Sequence, residues 1–173
     1  MLRKPVIFSI LFLVVLSLLA VTACSSQSAA ASGGSNNSNA TFKQTRITAQ
    51  LTGGTVAIPV NDLEKYGNVN FVVNTATDKY VFMAYEYGGK TYVRADVCVP
   101  CGSESFTLSN GVLICDACGT VFDAQTGKGI RGVTACQGYP KQPVVYQITG
   151  GNVIMQGSDL VNAFQSTLHP KKS

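Results

Sequence analysis

Cys98-Val99-Pro100-Cys101 and Cys115-Asp116-Ala117-Cys118-Gly119-Thr120-Val121-Phe122, with thirteen residues between the two cysteine pairs, are the stretch that decides how this chain is read. CxxC…CxxC is the ligand spacing of a tetrathiolate metal site. Each pair grips a metal from a tight turn, and the segment between them folds back as a hairpin to bring the pairs together. A glycine just past the second pair suits a metal-binding turn, where a side chain would crowd the sulfurs. Cys98, Cys101, Cys115 and Cys118 are therefore the candidate metal and cofactor ligands. Cys136, eighteen positions beyond the last of them, is open to three readings: a fifth ligand, a resolving thiol, or a small buried hydrophobe.

Outward from the cysteines the chain reads as strands. Thr55-Val56-Ala57-Ile58-Pro59-Val60 is a short β-rich run, and Asn61 is placed to cap a helical turn reaching Tyr66. Residues 69–73 and 79–85 are strands separated by the turn-like Asn74-Thr75-Ala76-Thr77-Asp78. Gly88-Gly89 turns the chain into a strand over 91–95 that leads to Cys98. Ser109-Asn110-Gly111 is a turn, and Val112-Leu113-Ile114 leads to Cys115, so each cysteine pair lies at the end of a strand. Residues 143–148 and 153–155 form a closing hairpin around Gly150-Gly151-Asn152. Ser158 is placed to cap a helix over 159–167, with Leu160, Val161, Phe164 and Leu168 on one face. The tyrosines and phenylalanines fall in the strands and are read as core and sheet surface. The expected fold is mostly β: a small β-sandwich or sheet domain carrying a CxxC…CxxC metal-binding hairpin and a short C-terminal helix.

The N-terminus predicts where this chemistry takes place. Met1-Leu2-Arg3-Lys4 is a short basic start, residues 6–21 are almost unbroken apolar sequence, and Val21-Thr22-Ala23-Cys24 closes the run. That order is a secretory signal peptide, 1–23, and its last residues resemble the bacterial lipobox. The resemblance implies cleavage before Cys24 and lipidation of its thiol; the competing reading is a retained transmembrane anchor, for which the run is marginal in length. Residues 24–41 are rich in Ser, Ala, Gly and Asn without periodicity and read as a lipidated flexible tether. The folded domain is expected over 42–170, on the extracytoplasmic face of the cell membrane and held there by its lipid anchor.

Composition narrows the function. The formal charge is +4, and removal of Arg3 and Lys4 leaves about +2, with no basic cluster in the domain, so a nucleic-acid partner is excluded. The chain has one histidine, His169, close to its end. That rules out a Ser-His-Asp triad, a Cys-His nucleophile pair within the fold, and haem or copper sites built on several imidazoles. No catalytic residue is assigned, and enzyme activity is left open apart from a redox role.

Between residues 55 and 155 the chain resembles the FtrD-like family of membrane-associated iron–sulfur proteins of bacterial iron-handling systems. The matching pieces are Val56-Ala57-Ile58-Pro59, then Gly89-Lys90-Thr91-Tyr92-Val93-Arg94-Ala95-Asp96-Val97-Cys98-Val99-Pro100-Cys101, then Leu113-Ile114-Cys115 through Phe122. Cys136, ahead of Tyr139-Pro140, resembles a further family cysteine that there follows paired glycines; Val133-Thr134-Ala135 stand in their place here. The resemblance implies an iron–sulfur cofactor, electron transfer or metal handling linked to iron uptake, and a partner in an iron-transport or redox membrane complex. Family members often carry several membrane spans; this sequence shows none beyond the leader, which predicts the exported domain alone on a lipid anchor. Residues 115–123, Thr126-Gly127-Lys128 and the closing hairpin are also similar to the second half of a Rieske domain. Cys101 and Cys118 stand where that cluster's two histidines would be, so the similarity implies a Rieske-like fold with all-thiolate ligation.

Three occupants remain open at the cysteines: an iron–sulfur cluster, a zinc or single iron ion in tetrahedral geometry, and, in an oxidising compartment, disulfides. The leader has Arg3-Lys4 rather than a twin arginine, so the chain is expected to cross the membrane unfolded and acquire its metal outside. The alternative to electron transfer is a zinc-stapled extracytoplasmic binding module whose cysteines only hold the fold. Asp96, Asp116 and Asp123 lie near the pairs and are read as solvated turn residues.

Overall fold

The computed structural model describes residues 40–171. The signal peptide expected at 1–23, the lipidation site Cys24 and all but the last two residues of the tether expected at 24–41 lie outside the described residues. In chain order the elements are β1 (Thr41–Phe42), β2 (Thr45–Arg46), β3 (Gln50–Thr52), β4 (Thr55–Pro59), α1 (Val60–Tyr66), β5 (Asn68–Asn74), β6 (Lys79–Tyr87), β7 (Lys90–Ala95), β8 (Phe106–Ser109), β9 (Val112–Cys115), β10 (Val121–Asp123), β11 (Gly129–Arg131), α2 (Thr134–Gln137), β12 (Tyr146–Thr149), β13 (Asn152–Gln156) and α3 (Gly157–Leu168). They build three sheets, ordered β2-β5-β6-β7, β12-β13-β4-β3 and β1-β8-β9-β10-β11. Every pairing is antiparallel except β2 with β5. The fold is mostly β, with the cysteine-bearing hairpin and the C-terminal helix the sequence predicts. Among the described residues no helix is long and apolar enough to cross a membrane.

β6 explains how the domain holds two cores. Successive strand side chains point to opposite faces. Tyr80, Phe82 and Ala84 join one cluster with Val56, Ile58, Phe71, Val93, Val153, Leu160 and Phe164. Met83 and Tyr85, on the other face, join Phe106, Leu108, Leu113 and Phe122 from the five-stranded sheet. The second cluster also contains Cys98, Cys115 and Cys136. One strand, apolar on both faces, thus ties the general core to the cysteine core. α3 covers the first with Leu160, Ala163, Phe164 and Thr167 at helical spacing. Phe164 meets Tyr80 and Phe82 edge-on, with ring centroids 5.1 and 5.9 Å away.

Both longer helices begin earlier than their side chains suggest. Asn61 and Ser158 are the expected caps, yet neither helix has a side-chain cap bond. Backbone carbonyls of neighbouring turns take that role. Val60 N–H donates to Gly151 O (2.9 Å), and Gly157 N–H donates to Gly54 O (2.8 Å). In each helix one first-turn amide is thus satisfied by tertiary structure rather than by a capping hydroxyl or amide. The strand expected over 143–148 also shortens. Pro143 bridges only to Arg94, Val144 N–H donates to Val93 O (2.9 Å), and the ladder with β13 starts at Tyr146.

Candidate metal centre

The two cysteine pairs form a repeated backbone motif, Cys-x-x-Cys-Gly followed by Ser103 in one copy and Thr120 in the other. In the first turn Cys98 N–H donates to Ser103 O (2.8 Å) and Gly102 N–H returns to Cys98 O (2.8 Å). In the second, Cys115 N–H donates to Thr120 O (2.9 Å) and Gly119 N–H returns to Cys115 O (2.9 Å). Gly102 and Gly119 take φ values of 70° and 68°, the left-handed conformation that favours glycine and closes each turn. The β8–β9 hairpin carries one turn towards the other. Asn110 and Gly111, with φ of 50° and 75°, form its two-residue reversal, and its ladder sets Phe106 opposite Cys115. Asp116 then pins the turns side by side. Its N–H donates to Ser105 O (3.1 Å), and its carboxylate accepts from Ser105 Oγ and from Thr107 Oγ1 (2.7 Å).

This scaffold brings all four predicted thiols into one group, with every Sγ within 4.8 Å of the others. Cys101 and Cys115, from different turns, have Sγ atoms 3.7 Å apart. Cys98 and Cys115 are buried, Cys101 is exposed and Cys118 is half-buried, so the group has an inner and an outer pair. Cys136, carried by α2 and buried, lies outside the group of four, with its Sγ 3.8 Å from that of Cys118. All five thiols are free. A compact set of soft sulfur donors on two preformed turns suits a thiophilic metal.

Protonation follows burial. Removal from water pushes the Cys98 thiol well up, and the adjoining Cys101 thiol adds to the shift. Burial also raises Cys115, against backbone and hydroxyl donors that favour its thiolate. At Cys118 burial is the largest single effect and raises the pKa, but the hydroxyl and amide of Thr120 and the thiols of Cys115 and Cys101 together outweigh it, and the pKa falls to about 6. The thiol lies 3.1 Å from Thr120 Oγ1, which also accepts the Val133 N–H (3.2 Å). The outer sulfur of the second turn is thus the one most ready to meet a metal as thiolate.

Lys141 is the residue that sequence reasoning missed. It is fully buried, its Nζ donates to Val97 O (2.6 Å), and the ammonium lies 4.4 Å from the Phe122 ring centroid and 5.3 Å from that of Phe106. Burial pulls its pKa below the usual lysine range, while Cys98, Cys115, Asp96 and Cys136 act in the opposite direction. A cation is thereby stationed on the protein side of the inner thiols. Arg94, also buried, fixes the backbone that delivers it. Its guanidinium donates to Tyr85 Oη (2.8 Å), to Lys141 O (2.8 Å) and to the carbonyl of Gln125. Gly127 permits this clasp, because a Cβ there would stand 2.2 Å from Lys141 O. Neither charge has a sequence signal beyond its residue type.

Of the three aspartates expected as solvated turn residues, Asp96 is the one that departs. Asp96 is fully buried, and both its carboxyl oxygens lack a hydrogen-bond partner. Burial pushes its pKa up to about 7, partly offset by the nearby amides of Gln44 and Asn70. Asp116 is exposed and serves as the clamp described above. Asp123 closes its own turn by accepting from the Thr126 N–H and hydroxyl, both at 2.7 Å, and that hydroxyl is the main cause of its lowered pKa.

Solved structures similar to the chain are distant in sequence. A chain of the complex of reduced oxygenase and oxidized ferredoxin in carbazole 1,9a-dioxygenase is 20% identical with a TM-score of 0.48, over 61% of this chain and 95% of that one. The ferredoxin of Sphingomonas yanoikuyae B1 is 19% identical with a TM-score of 0.40, over 50% and 83%. The plasma membrane Rieske protein of the cyanobacterium Synechocystis PCC 6803 is 19% identical with a TM-score of 0.40, over 57% and 94%. No curated protein matches the chain. Family membership rests instead on residues 65–166, which match the family described as membrane iron–sulfur containing protein, FtrD-like. That match covers more than half of the 173 residues and includes all five described cysteines. The chain therefore belongs to the FtrD-like family of membrane iron–sulfur containing proteins, and its four-thiol group supports an iron–sulfur cofactor.

Proposed function

We propose that this is a membrane-tethered, extracytoplasmic electron-transfer or metal-handling lipoprotein working beside an iron-uptake system, with Cys98, Cys101, Cys115 and Cys118 holding the metal. The observation that carries the reading is the division of the thiol group into a buried pair and a solvent-facing pair. Bound iron supplies a one-electron couple. The buried pair, packed against Phe106 and Phe122, keeps one side of the centre dry. The outer pair brings the opposite side to the surface, where a redox partner or an incoming ion can reach it. The donors around the turns and the Lys141 ammonium favour the charged thiolates.

The tether is part of the same proposal and rests on the Val21-Thr22-Ala23-Cys24 junction. Cys24→Ala should release the domain from membranes or leave an unprocessed precursor. A processed variant that still fractionates with membranes would sink the lipid anchor. For the centre, protein purified without oxygen should show charge-transfer absorption that bleaches on reduction and returns on oxidation. Colourless, zinc-loaded protein would favour the zinc-stapled binding module instead.

A further inference from the structure

We infer that the groove between β7 and β12 is a binding site for a small aromatic carboxylate, separate from the thiol group. The domain buries two cations, Arg94 and Lys141. Among the described residues the one ion pair is Lys79 with Glu104, so neither buried cation has a carboxylate partner. A buried charge without a counter-charge is costly. For Lys141 the thiol group supplies the answer, since Cys98 and Cys115 favour its charged form. Arg94 has nothing equivalent. Its guanidinium is held by neutral oxygens alone: Tyr85 Oη and Lys141 O at 2.8 Å, Thr126 O at 3.4 Å, and the carbonyl of Gln125. Those bonds leave one N–H of Nη2 over. Asp123, on which Arg94 acts weakly, is already engaged by the Thr126 N–H and hydroxyl.

Arg94 forms part of the wall of an open groove of about 630 Å³, a volume in the range of small-molecule sites. No carboxylate lines that groove, and Lys90 adds a second cation to it. The rest of the lining is largely flat and apolar. Tyr92 comes from one sheet and Tyr146 from another, with Pro143 and the 55% exposed Ile148 completing the wall. Both rings are fixed in place. Tyr92 stacks on Tyr85 with centroids 5.4 Å apart, and Tyr146 Oη donates to Thr91 O (2.6 Å). Arg94 Cζ lies 5.6 Å from the Tyr92 ring centroid, which sets the guanidinium beside the aromatic surface. A ligand that satisfies both has a flat apolar body for the tyrosines and one negative charge for the guanidinium. An aromatic carboxylate is the simplest molecule of that kind. Lys141, whose carbonyl accepts from Arg94 and whose ammonium interacts with the inner thiols, links the groove to the metal centre.

The probe is benzoate, titrated into the full-length protein in detergent and followed by the NMR signals of isotope-labelled tyrosine rings. Benzyl alcohol has the ring without the charge, and acetate has the charge without the ring. The expected result is saturable movement of the Tyr92 and Tyr146 signals by benzoate, with the alcohol and acetate each binding roughly tenfold more weakly or worse. Arg94 is left intact, because its clasp on distant carbonyls holds the fold. Two substitutions at exposed Ile148 instead place opposite charges in the groove. Ile148→Glu should weaken benzoate by roughly tenfold, and Ile148→Lys should bind it at least as well as wild type. Absence of saturable binding would overturn the site. Equal affinity for benzyl alcohol would reduce it to apolar surface and equal affinity for acetate to bare charge, and either overturns the aromatic carboxylate. Equal benzoate affinities in the two Ile148 variants would put the ligand outside the groove and overturn the proposal as well.

Discussion

The turns at 98–103 and 115–120 share one backbone design and differ in what surrounds it. Each is Cys-x-x-Cys-Gly, each closes through the same pair of backbone hydrogen bonds, and each buries its first cysteine. Beyond that the likeness ends. In the first turn the outer thiol, Cys101, is exposed, with Cys115 the thiol beside it. In the second, Cys118 is half-buried and has Thr120 Oγ1 at 3.1 Å and the Cys136 thiol at 3.8 Å. The repeat supplies matched donors, and the difference assigns them separate tasks. In the proposed centre Cys98 and Cys115 would belong to the core as much as to the metal, whereas Cys101 and Cys118 would govern how the metal meets solvent.

Serine at each of the four positions tests that division most severely. All four variants should lose stoichiometric metal, and the metal-dependent part of the melting temperature should fall by roughly 10 °C or more, because metal binding is coupled to folding. The metal-free proteins should then separate into two classes. A hydroxyl at Cys98 or Cys115 is buried among apolar groups and should cost roughly 1–3 kcal/mol in denaturant unfolding. A hydroxyl at exposed Cys101 should stay within about 0.5 kcal/mol of wild type. Equal costs at Cys98 and Cys101 in metal-free protein would erase the distinction between inner and outer thiols.

Lys141 gives the inner pair its electrical character, and Lys141→Met keeps its bulk while removing the charge. The iron-loaded variant should retain its metal and show a reduction potential lower by on the order of tens of millivolts, since a nearby cation favours the more negative, reduced state. The metal-free variant should be no less stable than wild type, because a buried ammonium carries a desolvation cost that methionine avoids. Lys65→Met is the control. That lysine lies 4.8 Å from the Tyr66 ring centroid, far along the chain from the thiols, and its loss should leave the potential unchanged. An unchanged potential in Lys141→Met, measured by spectroelectrochemical titration, would remove Lys141 from the account of the centre.

These effects mark what could and could not be read from sequence. The hairpin, the strands at 69–73 and 79–85, and the four-thiol group follow from alternation, turn residues and ligand spacing, which are local properties. The symmetry of the two turns was legible as well, since Gly102-Ser103 repeats as Gly119-Thr120. The capping of α1 and α3 was not, because it depends on carbonyls of Gly151 and Gly54 delivered by other turns. Asp96 read as a solvated turn residue and Lys141 drew no reading at all, yet both are fully buried. Lys141 is set in place by a backbone that Arg94 gathers from distant carbonyls, and Asp96 faces Gln44 and Asn70 from other strands and turns. Short strands such as β10 and β11, three residues each, carry too little pattern to stand out.

A finer probe of the outer pair compares hydroxyls at equivalent places in the two turns. Thr120 holds the Cys118 thiol down at about 6, so its thiolate persists to lower pH and protons displace the metal later in an acid titration. Thr120→Val should raise that thiol pKa, and the midpoint of acid-driven metal release should move upward by roughly half a pH unit. Thr120→Ser keeps the hydroxyl and should restore the wild-type midpoint. Ser103→Ala should move it less, because the Ser103 hydroxyl acts on the buried Cys115 thiol, whose pKa burial already raises, and also engages Ser105 N–H and O, at 3.3 and 3.2 Å. Equal shifts in Thr120→Val and Ser103→Ala would mean that the two outer environments are equivalent after all.

The smallest expected effect is at Cys136, the feature that makes the second turn unlike the first. The thiol is held on α2 by Cys136 N–H donating to Val133 O (2.9 Å), and it stands beside Cys118 rather than among the four clustered sulfurs. A set of four thiolate ligands is complete without it. Its position beside the half-buried sulfur still allows it to shield that edge from water or to hold an arriving ion briefly. Both actions change exchange rate and leave occupancy alone. Cys136→Ser should therefore keep its metal and lose it to a chelator faster, by roughly threefold. Cys136→Ala separates chemistry from packing, because it removes the thiol without burying a new hydroxyl. If both variants exchange at the wild-type rate, Cys136 is packing alone. If either is metal-free while folded, Cys136 is a ligand, and one of the four clustered cysteines, with exposed Cys101 the first to check, is not.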